Sequence, residues 1–239
     1  MKIEFVDECT STNQILIERN DKENVALVAF SQSLGRGRKG RTFFSPKDTG
    51  IYLSIFLHPD KTVAQAAGLT TMMAVAAAKA IEEVTNVSID IKWVNDLYVK
   101  GRKVGGILTE CSPVITDGKP SYVVVGIGVN VYEPSEGFPE DIKDRAGSIL
   151  TNAISKGQDA RKVLAERIID RFMQYCEDFE PAQYIEEYRK RSFLIGKDVV
   201  ILGGPRVNVL GIEDDFSLSV RHEDGHTESL SAGEVSLIL

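Results

Sequence analysis

The run Gln32-Ser33-Leu34-Gly35-Arg36-Gly37-Arg38-Lys39-Gly40-Arg41 constrains this chain more than any other stretch. Four cations fall within residues 36–41, interleaved with glycines, in a chain whose formal net charge is −7. Such a run cannot enter a core, and it lacks the apolar period of a helix or a strand. It is therefore an exposed loop, and the elements on either side must carry the fold. Glycine lets backbone N–H groups approach a ligand, and arginine offers forked donors that match carboxylate and phosphate oxygens. The loop reads as a mobile clamp for a small anion.

A solvated face and a nucleic-acid patch are the competing readings of a lone basic run. Nucleic-acid-binding domains usually carry a basic balance throughout, whereas the pI here is about 5.1. No aromatic ladder or helix-turn-helix pattern accompanies the run, and it lacks the Gly-Lys-Ser/Thr ending of a Walker A loop. Alone, the loop says anion without naming it.

At 239 residues the chain can bury one main core with room for a small appendage. Its 43% hydrophobic and 26% charged content is that of an ordinary soluble globular protein. No apolar h-region follows Met1, and the apolar stretch Val63 to Val84 is interrupted by Gln65, Thr70, Thr71, Lys79 and Glu82. Neither a secretory signal nor a membrane span is expected. Cys9, Cys111 and Cys176 are odd in number and far apart, so they read as free thiols in a reducing cytoplasm.

Ile3 to Val6 reads as an opening strand. Ser11 stands at a helix N-cap position with Gln14 three residues on, the spacing of a capping box. Val25–Ser31 and Ile51–Leu57 read as strands, and Ala64–Val84 as a long alanine-rich helix suited to close packing under a sheet. Ile89–Trp93, Leu97–Val99 and Val104–Glu110 follow as short strands, with Lys100-Gly101-Arg102 as a turn, and then the apolar strand Tyr122–Val131. Ala160–Tyr175 and Pro181–Arg191 read as helices. From Gly196 only short alternating strands with glycine or acidic turns remain, which predicts a small β-barrel. The expected fold class is α+β: a mixed, largely antiparallel sheet flanked by helices over residues 1–192, with a small β-barrel over 193–239.

Four segments converge on one chemistry. They are Ser11-Thr12-Asn13, the basic loop with Gln32, Lys92-Trp93-Val94-Asn95-Asp96 with Arg102-Lys103-Val104-Gly105-Gly106, and Gly126-Ile127-Gly128-Val129-Asn130. In this order, over roughly residues 8 to 150, they closely resemble the catalytic domain of the biotin protein ligases, also called biotin–[acetyl-CoA-carboxylase] ligases. The resemblance implies a class II synthetase-like catalytic domain and two half-reactions. Biotin and ATP, with Mg2+, form biotinyl-adenylate and pyrophosphate, and biotin then passes to a lysine of a biotin carboxyl carrier protein.

Attack of a carboxylate on the α-phosphorus of ATP brings two anions together, so the protein must supply positive charge and alignment. Arg36, Arg38 and Lys103 provide it, and the resemblance makes Arg38 and Lys103 the catalytic pair. It assigns Ser11, Thr12, Asn13 and Gln32 to the ureido ring of biotin. Gly35, Gly37, Gly105, Gly106, Gly126 and Gly128 become backbone that lies close to the ligand, and Trp93 walls the biotin pocket. Arg41, Asn95, Asp96 and Asn130 fall to the nucleotide, Asn130 at the adenine edge. Phe43 stands where many relatives have an adenine-covering tryptophan. Asp96 either holds magnesium or braces its loop. Val94 departs from the proline usual in this motif and removes its rigidity.

Bland readings stand beside these: a helix cap for Ser11, a hairpin lysine for Lys103, a bulge for the strand glycines, core packing for Trp93 and Phe43. A lipoate–protein ligase uses the same adenylate chemistry and is the alternative enzyme, although the alternation Gly35 to Arg41 favours biotin. A protein binding nucleic acid through the loop is the alternative outside enzymes. Ten residues before Ser11 leave no room for the DNA-binding winged helix of many relatives, so no nucleic-acid partner and no membrane is expected. A homodimer follows from the resemblance alone.

Overall fold

We describe a computed structural model of the chain over residues 1–150, 159–178, 181–231 and 233–237. In chain order its elements are β1 (Lys2–Val6), α1 (Thr12–Arg19), β2 (Val25–Ala29), β3 (Gly50–Leu57), α2 (Val63–Thr85), β4 (Asp90–Lys92), β5 (Asp96–Val99) and β6 (Arg102–Cys111). A short hairpin, β7 (Ile115–Thr116) and β8 (Lys119–Pro120), precedes β9 (Val123–Asn130), α3 (Ala160–Asp178) and α4 (Pro181–Arg191). The remainder is β10 (Asp198–Ile201), β11 (Arg206–Ile212), β12 (Leu218–His222), β13 (Thr227–Leu230) and β14 (Val235–Leu237).

The main sheet has seven strands in the order β1-β2-β3-β9-β6-β5-β4. Only β1 and β2 pair in parallel; the other pairs are antiparallel. Strands β2 and β3 are buried along their whole length, as their continuous apolar runs require of strands covered on both faces. Alternation divides β3 and β9 between two cores. Leu53, Ile55, Val123, Val125 and Ile127 pack in one cluster with Met73 and Ile81 of α2 and Leu164 and Phe172 of α3. Phe56 and Val124 pack on the other face with Leu16 of α1. The expected α+β class and largely antiparallel sheet are thus found.

Helix α2 lies close under the sheet because Ala74, Ala76, Ala77, Ala78 and Ala80 leave no bulk; all are fully buried. A larger side chain at Ala77 would overpack this layer at a cost of about 1–3 kcal/mol. Thr62 and Gln65 form a reciprocal capping box at its start. The box expected at Ser11 and Gln14 is absent. Ser11 is an extended N-cap without a side-chain cap bond, and Gln14 instead donates to Glu18 and accepts from Arg36. A charged partner outcompetes a backbone amide for the Gln14 oxygen. The turn between β5 and β6 is tighter than expected: Lys100 and Gly101 carry positive φ (48° and 77°), and Arg102 already belongs to β6.

The C-terminal strands form a five-stranded antiparallel sheet in the order β13-β12-β11-β10-β14, and not the expected barrel. Among the described residues its outer strands, β13 and β14, do not pair with each other. Closure demands a strand tilt and register stagger shared by all strands, and edges of four and three residues are too short to meet around a cylinder. This sheet is seated on the main body where Trp93 Nε1 donates to Phe216 O at 2.9 Å and the Phe216 ring stacks on Tyr184. No helix among the described residues is long and apolar enough to cross a membrane.

Candidate active site

Register builds the floor of the site. On the α1 face of the sheet, Tyr52 of β3 lies opposite Gly128 of β9, and Gly128 lies opposite Gly106 of β6. One pleat along, Ser54, Gly126 and Leu108 form a second row. Towards α1 the same face continues into bulk, with Phe56, Val124 and Glu110 in the third row. Where side chains shrink to glycine the sheet opens a hollow. An ideal Cβ on Gly126 would stand 1.9 Å from Asn13 Oδ1, and one on Gly128 would stand 2.6 Å from the Phe43 ring. The two glycines therefore admit Asn13 and Phe43 into the hollow.

Apart from Arg36, which it shares with the outer pocket, the polar lining of the inner pocket is neutral. Ser11, Thr12, Asn13, Gln32 and Tyr52 line it above Gly126 and Gly128. Ser11, Thr12 and Asn13 are each no more than 5% exposed. Gln32 Oε1 accepts from the Thr12 backbone N–H at 2.8 Å, and Gln32 Nε2 donates to Ser45 Oγ. Ser54 Oγ lies 2.5 Å from Asn13 Oδ1 and 2.7 Å from Thr12 Oγ1. Asn13 Nδ2 donates to Leu108 O and to Glu110. These bonds hold the α1 N-terminus rigidly over the sheet. Ser11 Oγ makes no hydrogen bond among the described residues and remains available to a ligand. Burial pushes the Tyr52 phenol up to about 12, so it stays a neutral donor.

The outer pocket is cationic. It shares Arg36, Phe43, Gly106 and Leu108 with the inner one. Its lining holds six cations, Arg36, Arg38, Lys39, Arg41, Lys92 and Lys103, against two carboxylates, Asp96 and Glu234, a net of +4. The basic loop folds back as a hairpin, with Phe43 N donating to Gly35 O and Gly37 N to Arg41 O. Four of these cations already have side-chain partners. Lys103 Nζ meets Asp96 Oδ1 at 2.6 Å, Arg38 donates to Asn95 Oδ1 at 2.9 Å, and Arg36 bridges Gln14 and Glu110. Arg41 forks onto both oxygens of Glu234 at 2.7 and 2.9 Å, tying the loop to the C-terminal sheet. Burial pulls the half-buried Lys92 ammonium below its ordinary range, opposed by the Asp96 charge.

The structure brings most of the expected residues together and separates a few. Trp93 lines the outer pocket and not the inner one. Phe43 stands between the two pockets, its ring at 70° to that of Tyr52. Asn130 donates to Gly147 O, and Asn130, Gly35 and Gly105 line neither pocket. Sequence reasoning placed Lys92 in its motif without giving it a role, and it missed Ser54, Glu110 and Glu234. Ser54 had a signal, as the single small polar residue in the otherwise apolar and aromatic run Ile51-Tyr52-Leu53-Ser54-Ile55-Phe56. Glu234 had none, because its partner Arg41 is 193 residues away.

A magnesium ion carried on nucleotide phosphates fits this lining. Mg2+ takes one or two carboxylates and leaves the rest of its shell to phosphate and water. Asp96 presents its second oxygen beside Lys103, which holds only Oδ1.

A model of the biotin/lipoate A/B protein ligase family matches residues 4–130. The bifunctional ligase/repressor BirA of Bacillus spizizenii is 30% identical over 234 residues, covering 96% of this chain and 71% of that protein. The biotin–[acetyl-CoA-carboxylase] ligase of Mycobacterium tuberculosis is 30% identical over 98% of this chain and 88% of its own length. Among solved structures, the biotin protein ligase from Aquifex aeolicus in complex with biotin and ATP aligns with a TM-score of 0.78 and 29% identity, covering 99% of this chain and 98% of that one. With a family model matched across more than half its length and such relatives along nearly all of it, this chain belongs to the biotin/lipoate A/B protein ligase family.

Proposed function

We propose that this chain is an ATP-dependent biotin–protein ligase. It activates biotin as biotinyl-5′-AMP and transfers it to a lysine of a biotin carboxyl carrier protein. The observation that carries this reading is the junction of a neutral, polar inner pocket with a cationic outer pocket at Arg36, Phe43 and Gly106. The substrate must itself be neutral and polar at one end and anionic at the other. The ureido ring of biotin offers one carbonyl acceptor and two N–H donors to Ser11, Thr12, Asn13 and Gln32, while its carboxylate reaches toward Arg36, Arg38 and Lys103. Lipoate ends in a dithiolane without hydrogen-bonding groups and would leave the inner pocket unsatisfied.

In the first half-reaction a biotin carboxylate oxygen attacks the α-phosphorus, and pyrophosphate leaves. Lys103 and Arg38 offset the repulsion between the two anions, and Lys92 adds a partly desolvated charge from the pocket wall. Mg2+, when bound with the nucleotide beside Asp96, neutralises phosphate charge. Releasing Arg36 from Glu110, an ion pair 42% and 23% exposed, costs at most about 1 kcal/mol. A charge-assisted bond to the acyl-phosphate contributes about 1.5–3 kcal/mol. Exchange of the Glu110 pair for the ligand is therefore downhill.

In the second half-reaction the carrier lysine amine attacks the acyl carbon directly. The bond from that carbon to the phosphate oxygen breaks, AMP leaves, and the amine proton passes to solvent. His58, His222 and His226 line neither pocket, which supports transfer without an enzyme-bound acyl group. The unpaired thiols of Cys9, Cys111 and Cys176 support a cytoplasmic setting. We take residues 1–192 as the catalytic unit and 193–239 as a small unit, with a homodimer as the assembly state. Calorimetry with biotin and with lipoate tests the substrate: biotin should bind tightly and lipoate weakly. Equal affinity would overturn the assignment.

A further inference from the structure

We propose that His222, His226 and Glu228 form a site for a borderline divalent transition metal, with Zn2+ the ion it fits. The backbone creates the cluster. Strands β12 and β13 pair with Val220 opposite Glu228 and Arg221 opposite Thr227. The register closes with His222 N donating to His226 O at 2.9 Å. His222 and His226 are therefore cross-strand neighbours. Glu228, two residues beyond His226, shares their face of the sheet. The loop between them has Gly225 at φ 90°, a conformation that closes a three-residue hairpin rigidly. One donor atom from each of the three side chains lies within 4.8 Å of the others.

The side-chain chemistry points to a cation. The two imidazoles stack face to face, 3.9 Å between centroids and 12° between planes, so one exposed ring turns about its side-chain bonds to bring both nitrogen lone pairs onto a single ion. His222 Nε2 lies 2.9 Å from Glu228 Oε2, and His226 Nδ1 lies 2.5 Å from Asp224 Oδ1. A divalent ion held by the two rings and Glu228 would offset the negative charge that Glu228 and Asp224 bring to this hairpin. Asp224 then takes the place of the outer carboxylate that receives the second N–H of a metal-bound histidine. This leaves His226 Nε2 for the metal.

Two imidazoles and a carboxylate, with water in the fourth position, are a ligand set for zinc. Mg2+ requires an octahedral oxygen shell and would be rejected. None of the three residues lines either substrate pocket. The ion would clip the tip of the β12–β13 hairpin and stabilise the C-terminal sheet without entering the ligase reaction.

The test is calorimetric titration of Zn2+ into the full, metal-stripped chain, with excess Mg2+ present and thiols kept reduced. One equivalent should bind, and its addition should raise the thermal midpoint. His226→Gln, at an exposed position, should abolish stoichiometric binding and the rise in midpoint. Asp224→Asn should weaken binding about 10–100-fold, the usual effect of losing an outer-shell partner. Both variants should form biotinyl-adenylate at the normal rate, which also shows that they fold. Absence of a one-to-one complex would overturn the proposal. So would unchanged affinity in His226→Gln and His222→Gln, which would place the ion on the thiols.

Discussion

Replacing Gly126 by alanine should disable the inner pocket through Asn13. The three atoms nearest to a Cβ at 126 all belong to Asn13, at 1.9, 2.8 and 3.0 Å. Reaching ordinary contact at 3.4 Å requires Asn13 Oδ1 to retreat by about 1.5 Å, the difference of the two distances. Moving the amide breaks the bond that Oδ1 accepts from Ser54 Oγ (2.5 Å) and the two that Nδ2 donates to Leu108 O (3.2 Å) and Glu110 (2.9 Å). Two neutral bonds contribute about 1 kcal/mol each and the bond to a carboxylate about 1.5–3. Glu110 is 23% exposed and regains water, so the expected loss of stability is about 2–3 kcal/mol. Biotin affinity should fall at least about tenfold, the equivalent of 1.4 kcal/mol. The mechanism makes a sharper claim about the double variant. Asn13→Ala removes the obstacle, so Gly126→Ala in that background should cost less than about 0.5 kcal/mol, and the cycle should show a coupling of at least about 1.5 kcal/mol. Urea unfolding followed by circular dichroism measures all four corners. Additivity within about 0.5 kcal/mol would refute the reasoning.

Lys103→Ala should slow adenylate formation about 10–150-fold, the effect of one charge-assisted bond of about 1.5–3 kcal/mol, with the fold intact. Lys103→Arg should recover part of that rate, since a planar guanidinium replaces a compact ammonium; pyrophosphate release measures both, and an unchanged rate in the alanine variant would sink the role. Glu234→Gln frees Arg41 from an ion pair that is 60% exposed on the arginine side, so stability should change by less than about 1 kcal/mol. Trypsin should nevertheless cleave the loop between Arg36 and Arg41 faster, and an unchanged cleavage rate would remove Glu234 as its tether. Arg19, and then Lys2, hold the Glu4 carboxyl at about 2, below its ordinary 4.5. Its contribution to stability is thus present above pH 4.5 and lost as pH falls through 2, and Glu4→Gln should flatten the thermal midpoint across that window.

Elements with strong local signals were legible in the chain. The buried apolar runs of β2 and β3 and the alanine-rich period of α2 each specify their own conformation. What escaped was decided between distant segments. Whether five short strands close into a barrel depends on edges that never meet in sequence. The cap at Ser11 looked local, but Arg36, 22 residues on, claims the Gln14 side-chain oxygen. The glycines at 126 and 128 were recognisable as close approaches. What approaches them, Asn13 and Phe43, is set by how α1 and the basic loop fold over the sheet. Phe43 consequently sits between the two pockets. Asn130 meets Gly147 O for the same reason, since the segment after β9 folds back beside it.

The central claim is that the joined pockets let this chain make an acyl-adenylate of biotin with no covalent enzyme intermediate. Mass spectrometry after incubation with biotin, ATP and Mg2+, in the absence of carrier, tests it most directly. One biotinyl-5′-AMP should be held per chain, one pyrophosphate released, and the intact-protein mass unchanged after denaturation. No adenylate, or a stoichiometric biotin adduct surviving denaturation, would contradict it.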